Sequence, residues 1–451
     1  MHTHARGSLK AIFTVLFTVL AFPAASTPVV ETFNLSNGME VIALPNHRVP
    51  AVSHMLWFRV GAADDPPGKS GLAHYHEHMM FKGTRNYKSG EYADIIARHG
   101  GQQNAFTGHD ATSYFVNISK EHLPLVMRLE ADRLRGLTPS DEDAEKEKQV
   151  IIEERRERTE NNPQALLDEQ MGALLYRHHP YRIPVIGWMH EMEGLTKKDT
   201  LDFHNAYYHA SNAILIVSGD ITAAELKPLV EKYYGNLPKM PTPERRWVSE
   251  PPQRAPRHIT LEHPNVKQPE WTKIYEASSF NNGNKKEALP LFLLSQLLGG
   301  GKTSHLYQTI VVEKKLASAI DTSYNGFSIG PAEFGITAVP EQGVTLEALG
   351  KAIDEEIKTI LSKDFKAADI ARAKTLLKAE SVYARDGLSG IARIMGWVRM
   401  AGLHADYFSR WDAMIDAVTP QEISEAATHA LDAKASVTGW LLPASTQEKK
   451  P

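Results

Sequence analysis

The second half of this chain repeats the order of predicted strands and helices found in the first half. A predicted strand at 114–117 precedes a predicted helix at 123–134, and the same succession recurs at 334–338 and 346–361. Prolines recur among charged and polar residues between Pro238 and Pro256, which is typical of an extended linker. A repeated order of this kind predicts an internal duplication. We therefore expect an α+β fold with two similar domains of antiparallel-rich sheet plus helices.

The N-terminus has the pattern of a secretory signal peptide. Arg6 and Lys10 precede an apolar run from Ala11 to Phe22, and small residues follow the run. The run is too short to span a bilayer comfortably, and no second long apolar stretch follows it. We therefore predict export to a bacterial periplasm, with no stable membrane span after cleavage. The predicted divisions are a signal peptide at 1–26, an N-terminal domain at 28–237, a linker at 238–257 and a C-terminal domain at 258–445.

Composition excludes several kinds of chemistry. The chain has no cysteine, which excludes a thiol nucleophile, a disulfide framework and a thiolate metal site. The formal net charge is −4 and no long basic run is present, so a nucleic-acid partner has no electrostatic support. Any metal site must therefore be built from histidine and carboxylate side chains.

One short segment carries the pattern of a metal site. His74 and His78 are four residues apart, so a helix brings both imidazoles to one face, where they can chelate a single ion. Glu77 shares that side and can take a proton from a water at the metal and pass it to a leaving amine. This is the inverted zincin arrangement. Apolar neighbours predict a buried helix, and buried histidines need partners. His76 lies two positions from either histidine and should point to the opposite side.

A third metal ligand is needed, and without cysteine we expect a carboxylate. The predicted helix at 141–160 carries several acidic residues, and Glu147 and Glu154 are seven apart on one face. Pattern alone leaves these acids open between a metal ligand and the solvated face of a charged helix. The candidates on this helix are Glu145, Glu147, Glu153, Glu154 and Glu157.

Three segments together resemble the pitrilysin/insulinase family of zinc peptidases, in particular its bacterial and mitochondrial-processing-peptidase branch. They are Gly71-Leu-Ala-His-Tyr-His-Glu-His-Met-Met-Phe-Lys-Gly-Thr84, Gly100-Gly-Gln-Gln-Asn-Ala-Phe-Thr107 and Glu147-Lys-Gln-Val-Ile-Ile-Glu-Glu154. The resemblance covers most of the chain after the predicted signal peptide. It implies two similar α+β domains, joined by a linker, that face each other as half a clamshell.

The resemblance also implies roles for individual residues. The third zinc ligand matches Glu154, with Glu153 as its nearest rival, and an outer carboxylate that orients a ligand matches Glu147. The strand containing Asn104, Ala105 and Phe106 matches an edge strand to which a substrate peptide adds by main-chain hydrogen bonds. An ordinary half-buried strand is the alternative for that segment. We expect one zinc ion per chain, because the second half lacks its own His-x-x-Glu-His motif.

The second half departs from the family pattern at two positions. His305 stands where the resemblance predicts an arginine, and Ser318 stands where it predicts a tyrosine. The chain therefore resembles the zinc-bearing subunit of an endopeptidase whose sister subunit supplies both side chains, or a homodimer of reduced activity. The resemblance implies cleavage of peptides or small unfolded proteins. The alternative hypothesis is a non-catalytic subunit of the same fold that binds peptides or scaffolds a complex.

Overall fold

Two β-sheets organise the chain. A computed structural model describes residues 29–363 and 365–444, so the predicted signal peptide lies outside the described residues. The first sheet has the strand order β1-β2-β6-β3-β5-β4 and the second has the order β7-β11-β8-β10-β9. The strands are β1 (Glu31–Asn34), β2 (Glu40–Pro45), β3 (Ala51–Phe58), β4 (Gln102–Thr107), β5 (Thr112–Ser119), β6 (Ala213–Gly219), β7 (Arg257–His263), β8 (Glu270–Ala277), β9 (Ala317–Tyr324), β10 (Ala332–Pro340) and β11 (Ser436–Pro443).

Helices pack around both sheets. The α-helices are α1 (Leu72–Met79), α2 (Glu91–Arg98), α3 (Leu123–Gly136), α4 (Asp141–Arg155), α5 (Pro163–Leu175), α6 (Met189–Met192), α7 (Lys197–Tyr207), α8 (Ala223–Tyr234), α9 (Ala288–Gly299), α10 (Leu346–Leu361), α11 (Ala367–Ala384), α12 (Leu388–Met400), α13 (Tyr407–Ala417) and α14 (Pro420–Ala430). Within the two described ranges, no helix is both long and apolar enough to cross a bilayer.

The two sheets share one pairing pattern, which confirms the prediction of a duplicated α+β fold. In the first sheet β2 pairs parallel with β6, and the remaining neighbours after β6 are antiparallel. In the second sheet β7 pairs parallel with β11, and the neighbours after β11 are again antiparallel. The hairpin that joins β1 to β2 turns at Asn37 and Gly38, and Gly38 has a φ of +92°. Such a conformation favours glycine.

The two halves exchange helices across their boundary. Helix α5 comes from the first half but packs on the second sheet, where Leu167 and Met171 contact Ile274 and Val437. Helix α12 comes from the second half but packs on the first sheet, where Met395 joins a core that includes Trp57. Each sheet therefore has one face buried by a helix of the other half. The sequence patterns predicted neither α5 nor α12.

The proline-rich segment has no regular structure, but it is held against the first half. Arg245 donates to the carboxylate of Asp64 and to the backbone carbonyl of Asp110. Glu250 accepts hydrogen bonds from consecutive backbone amides, including those of Arg177 and His179. These contacts tie the connection to the surface of the first half at two points along its length. The predicted division at 28–237, 238–257 and 258–445 stays a prediction.

Candidate metal centre

Helix α1 is short and almost completely buried, so its position depends on contacts with its neighbours. The carboxylate of Asp65 accepts the backbone N–H groups of Gly71 and Ala73, at 2.8 Å each, and so satisfies free donors at the start of the helix. The Tyr75 hydroxyl donates to the carbonyl of Ala144 on α4 at 2.7 Å. The Asp65 bonds hold the start of α1 to the preceding loop, and the Tyr75 bond fixes α1 against α4, the helix that carries the acidic candidates.

His74, His78 and Glu154 converge on one point. The distance from His74 Nε2 to Glu154 Oε2 is 3.6 Å, and that from His78 Nε2 to the same oxygen is 3.4 Å. One ligand atom from each of the three residues lies within 4.8 Å of the other two. Ligand atoms bound tetrahedrally to zinc at 2.0–2.2 Å lie about 3.4 Å apart. The spacing and the donor set of two imidazoles and one carboxylate therefore fit a zinc ion with an open fourth position.

Glu154 is the acid of its pair that turns toward the histidines. Its Oε1 accepts from Arg158 at 2.6 Å, which leaves Oε2 directed at the two imidazoles. Glu153 instead pairs with Arg156, and its side chain is 66% exposed. The helix continues after Arg155 as a π-helical turn over residues 156–160, and such turns recur at functional sites.

Glu147 holds the far side of the His78 ring. Its Oε1 lies 2.8 Å from His78 Nδ1, and its Oε2 lies 2.5 Å from Lys82 Nζ. Because an ionised carboxylate only accepts, Nδ1 donates a proton to it, and Nε2 is the nitrogen that faces the site. The predicted outer carboxylate therefore lies where it can orient His78. Sequence reasoning missed Lys82, which lies just after the end of α1.

The titration of the two imidazoles differs because their surroundings differ. Burial lowers the pKa of His74 to about 4, and the neighbouring His78 adds to this effect. Burial also acts to lower the pKa of His78, but hydrogen bonds to Glu147 and Glu154 outweigh it and raise the pKa to about 9. His74 is therefore neutral at pH 7, as a metal ligand must be, whereas His78 would release the proton on Nε2 when an ion binds.

Glu77 lies beside the three converging residues without being one of them. Its side chain is buried, which raises the pKa of the carboxyl above its ordinary value. The hydroxyl of Thr107 donates to Glu77 Oε2 at 2.6 Å and opposes that rise. A carboxylate in this position can hold and release a proton next to the site. Sequence reasoning missed Thr107, although it ends the segment that carried the resemblance.

His76 lies on the opposite face of α1, in the core. Its Nδ1 is 2.6 Å from the Thr200 hydroxyl, and its Nε2 is 3.3 Å from His204 Nδ1. The second nitrogen of His204 donates to the carbonyl of Leu134. Every nitrogen in this chain of contacts has a neutral partner, so His76 needs no metal, in agreement with the sequence prediction.

Strand β4 forms the edge of the first sheet, next to α1. The N–H of Gly108 donates to the carbonyl of Ala111 on the neighbouring chain segment. In an antiparallel pair, every second residue directs its N–H and C=O toward the partner strand and the residues between direct theirs away from it. Ala105, three residues before Gly108, therefore directs its amide and carbonyl toward the open edge. Asn104 Oδ1 accepts that Ala105 N–H at 2.8 Å. The side chain of Phe106 projects from the face of the sheet opposite to that of Ala105 and packs edge-on against Trp57. The strand predicted for substrate therefore has a main-chain edge open to pairing.

The positions that depart from the family pattern have partners within the second half. His305 Nε2 lies 2.7 Å from Glu356 Oε1, and Lys314 Nζ lies 3.1 Å from the other oxygen of Glu356. The hydroxyl of Ser318 contacts the carbonyl of Val339 at 3.4 Å. Neither His305 nor Ser318 belongs to the cluster formed by His74, His78 and Glu154.

Comparison with known proteins follows the same two-part division. Residues 41–187 match the insulinase family, peptidase family M16, and residues 194–377 match the domain described as peptidase M16 inactive domain. The chain is 32% identical to the zinc protease PqqE of Helicobacter pylori over 389 residues, which covers 85% of this chain and 84% of that protein. It is 24% identical to a probable mitochondrial-processing peptidase subunit beta of Arabidopsis thaliana, over 92% of this chain and 79% of that one.

A crystal structure of a protease from Helicobacter pylori has a similar fold. The TM-score is 0.85 and the sequences are 28% identical. The match covers 92% of this chain and 100% of the other chain. The similarity therefore extends over both sheets and the helices that they exchange.

Proposed function

The chain belongs to the insulinase family, peptidase family M16, and on this premise we propose that it is a zinc-dependent endopeptidase of peptides or small unfolded proteins. One observation carries the proposal, namely the convergence of His74, His78 and Glu154 on a single point. Relatives that are named zinc proteases support the same conclusion. The name of the second matched domain, which describes it as inactive, fits its lack of a His-x-x-Glu-His motif.

His74 Nε2, His78 Nε2 and Glu154 Oε2 would hold the ion. When bound, zinc supplies Lewis acidity to an attacking water and to the scissile carbonyl. Glu147 would orient the His78 ring by accepting from Nδ1, so that Nε2 points at the ion, and Arg158 would hold the carboxylate of Glu154 in place. Such outer partners commonly change metal affinity by about 10–100-fold.

Glu77 would move the proton. It takes a proton from the attacking water on one carboxylate oxygen and delivers it to the leaving amine as the peptide bond breaks. The buried position of Glu77 raises the pKa of its carboxyl and so favours transient protonation. Thr107 leaves the second oxygen of that carboxylate available for this transfer.

A substrate peptide would add to β4 as an extra strand. The outward amide and carbonyl of Ala105 would bond the peptide main chain, and the side chain of Asn104 would give up its bond to that amide. Main-chain pairing reads few side chains, so it fits an enzyme with loose sequence preference. The contact of Phe106 with Trp57 would hold the strand in position on the sheet.

The proposed working form has a second subunit. A relative named as a subunit of a processing peptidase supports this arrangement. His305 and Ser318 replace the arginine and tyrosine expected in the second half, so a sister chain would supply both groups. A homodimer of lower activity is the other form we consider. The N-terminal signal pattern supports a periplasmic location for either assembly.

The decisive experiment replaces the proposed base. We expect Glu77→Gln to retain about one zinc per chain, measured by metal analysis, and to lose hydrolysis of an unfolded peptide by about 10²–10⁴-fold. Glu145→Gln is the matched control, because that side chain is 61% exposed on α4. Both proteins are assayed alone and with the companion chain purified from the native host.

Two outcomes would overturn the proposal. Full activity in Glu77→Gln would remove Glu77 as the base. A wild-type chain that binds peptide but hydrolyses none, with zinc present and with or without its companion, would favour the non-catalytic subunit.

A further inference from the structure

We propose that Thr107 is a positioning residue, which sets the orientation of the Glu77 carboxylate and ties it to the strand that receives substrate. This inference rests on the proposed peptidase function and deepens it. Neither the spacing of the metal motif nor the family names assign Thr107 a part in the reaction.

The hydrogen bond itself is the first argument. The Thr107 hydroxyl lies 2.6 Å from Glu77 Oε2, a short distance typical of a hydroxyl that donates to an ionised carboxylate. Across the described residues, no other side chain hydrogen-bonds Glu77. The terminal torsion of a glutamate is broad and intrinsically weakly restrained. Thr107 therefore supplies the restraint that the side chain lacks.

Orientation of a base matters to the rate of proton transfer. With Oε2 held by Thr107, the direction of Oε1 is fixed relative to the imidazoles of His74 and His78. Without the hydroxyl, the carboxylate can rotate away from the attacking water while the metal ligands stay in place. A displacement of about 1 Å in a catalytic group can change the rate by about 100-fold.

Strand β4 links this bond to substrate binding. Thr107 lies two residues from Ala105, so both side chains project from the same face of the strand, toward α1. Phe106, between them, is packed on the opposite face by Trp57 and by Trp397 of helix α12. A peptide that pairs with Ala105 therefore acts on the same rigid segment that holds Glu77. The second half contributes to this segment through α12.

The test compares three threonine variants under the same conditions. Thr107→Val preserves the shape of the side chain without its hydroxyl, and Thr107→Ser preserves the hydroxyl. Thr112→Val is the matched control, since Thr112 is the cross-strand partner of Thr107 but donates to the carbonyl of Val60. The readouts are kcat, KM, zinc per chain and the midpoint of thermal unfolding.

We expect Thr107→Val to lower kcat about 10–100-fold, with KM within about threefold of wild type and zinc content unchanged. Thr107→Ser should recover most of the lost kcat. Thr112→Val should lower the unfolding midpoint and leave kcat unchanged. This pattern separates orientation of Glu77 from a general loss of structure.

Each contrary result has a distinct meaning. A Thr107→Val enzyme with wild-type kcat, or a Thr107→Ser enzyme as slow as Thr107→Val, overturns the role of the hydroxyl. The role is also overturned if Thr107→Val loses zinc in proportion to its kcat, or if Thr112→Val lowers kcat by the same factor as Thr107→Val. The proposed function itself fails if the wild type does not hydrolyse peptide, or if Glu77→Gln hydrolyses it as fast as the wild type. That result differs from a failure of the Thr107 inference, in which Glu77→Gln is inactive but Thr107→Val is not slowed.

Discussion

Individual side chains in the candidate centre are oriented by partners that occupy their second polar atom. His78 gives one ring nitrogen to Glu147 and keeps the other for the site. Glu154 gives one oxygen to Arg158 and turns the other toward the imidazoles. Glu77 gives one oxygen to Thr107. Because each group is held at one atom, the other atom is left free for metal or water, which is how a site becomes preorganised.

Buried histidines outside the centre make the fold sensitive to acid, and His54 is the clearest example. It is fully buried on β3, and its Nε2 lies 2.9 Å from the hydroxyl of Tyr234. Burial lowers the pKa of His54 from 6.5 to about 4. The unfolded chain therefore takes up a proton first as pH falls. Above pH 6.5 His54 is neutral in both states, so it does not affect the pH dependence of stability. As pH falls from 6.5 toward 4, only the unfolded chain binds the proton, and the free energy of unfolding decreases.

We expect the free energy of unfolding to fall by about 3 kcal/mol from this group alone across that window. Denaturant unfolding at a series of pH values measures it. His54→Gln should flatten the wild-type slope between pH 6.5 and 4, whereas His190→Gln, whose side chain is 79% exposed, should not. An unchanged slope in His54→Gln would contradict the assignment.

Secondary-structure elements in this chain depend on partners distant in sequence. Helix α1 has only eight residues, which is too short to be stable alone, and it is held by α4 and α7. Helix α12 packs on the first sheet across a very close approach. A Cβ built at Gly396 would lie 2.0 Å from a ring carbon of Trp57. The contact between α12 and the first sheet therefore requires a residue without a side chain at this position.

Substitution of Gly396 tests that contact. We expect Gly396→Ala to lower the free energy of unfolding by about 2 kcal/mol, because the methyl group forces α12 away from Trp57. Gly172→Ala is the matched control on α5, since a Cβ there meets no atom within 4 Å. That variant should instead gain about 0.5–1 kcal/mol from helix propensity. Equal effects of the two substitutions in chemical denaturation would refute the close packing.

The two halves of the molecule are joined by partly buried hydrogen bonds as well as by exchanged helices. The Tyr181 hydroxyl donates to the carboxylate of Asp110 at 2.6 Å and accepts the N–H of Gly330 at 2.9 Å. The N–H of Ile329 also donates to Asp110, at 2.8 Å. Asp110 lies in the turn that follows β4. The second half is thus bonded directly to the hairpin that carries the proposed substrate strand.

Loss of the Tyr181 hydroxyl should loosen this junction. Tyr181→Phe leaves a buried amide without its acceptor, so we expect unfolding to become easier by about 1–3 kcal/mol. Hydrogen exchange at the amides of 329–330 should increase in the same variant. Tyr383→Phe, at a site that is 81% exposed, is the control and should change neither quantity. Unchanged exchange in Tyr181→Phe would show that the junction does not depend on this bond.

The sequence by itself determined the local features and the order of elements. The spacing of His74 and His78 follows from helical geometry, and the repeated order of strands and helices predicted two similar sheets. The resemblance to a family favoured Glu154 as the third ligand, with Glu153 as its nearest rival, where pattern alone left all the acids of that helix open. Only the tertiary structure decided that Glu154 rather than Glu153 turns inward, that Thr107 reaches Glu77, and that α5 and α12 exchange sheets. Local periodicity reports which face of an element is apolar, but the partner that buries that face is set by packing between residues far apart in the chain.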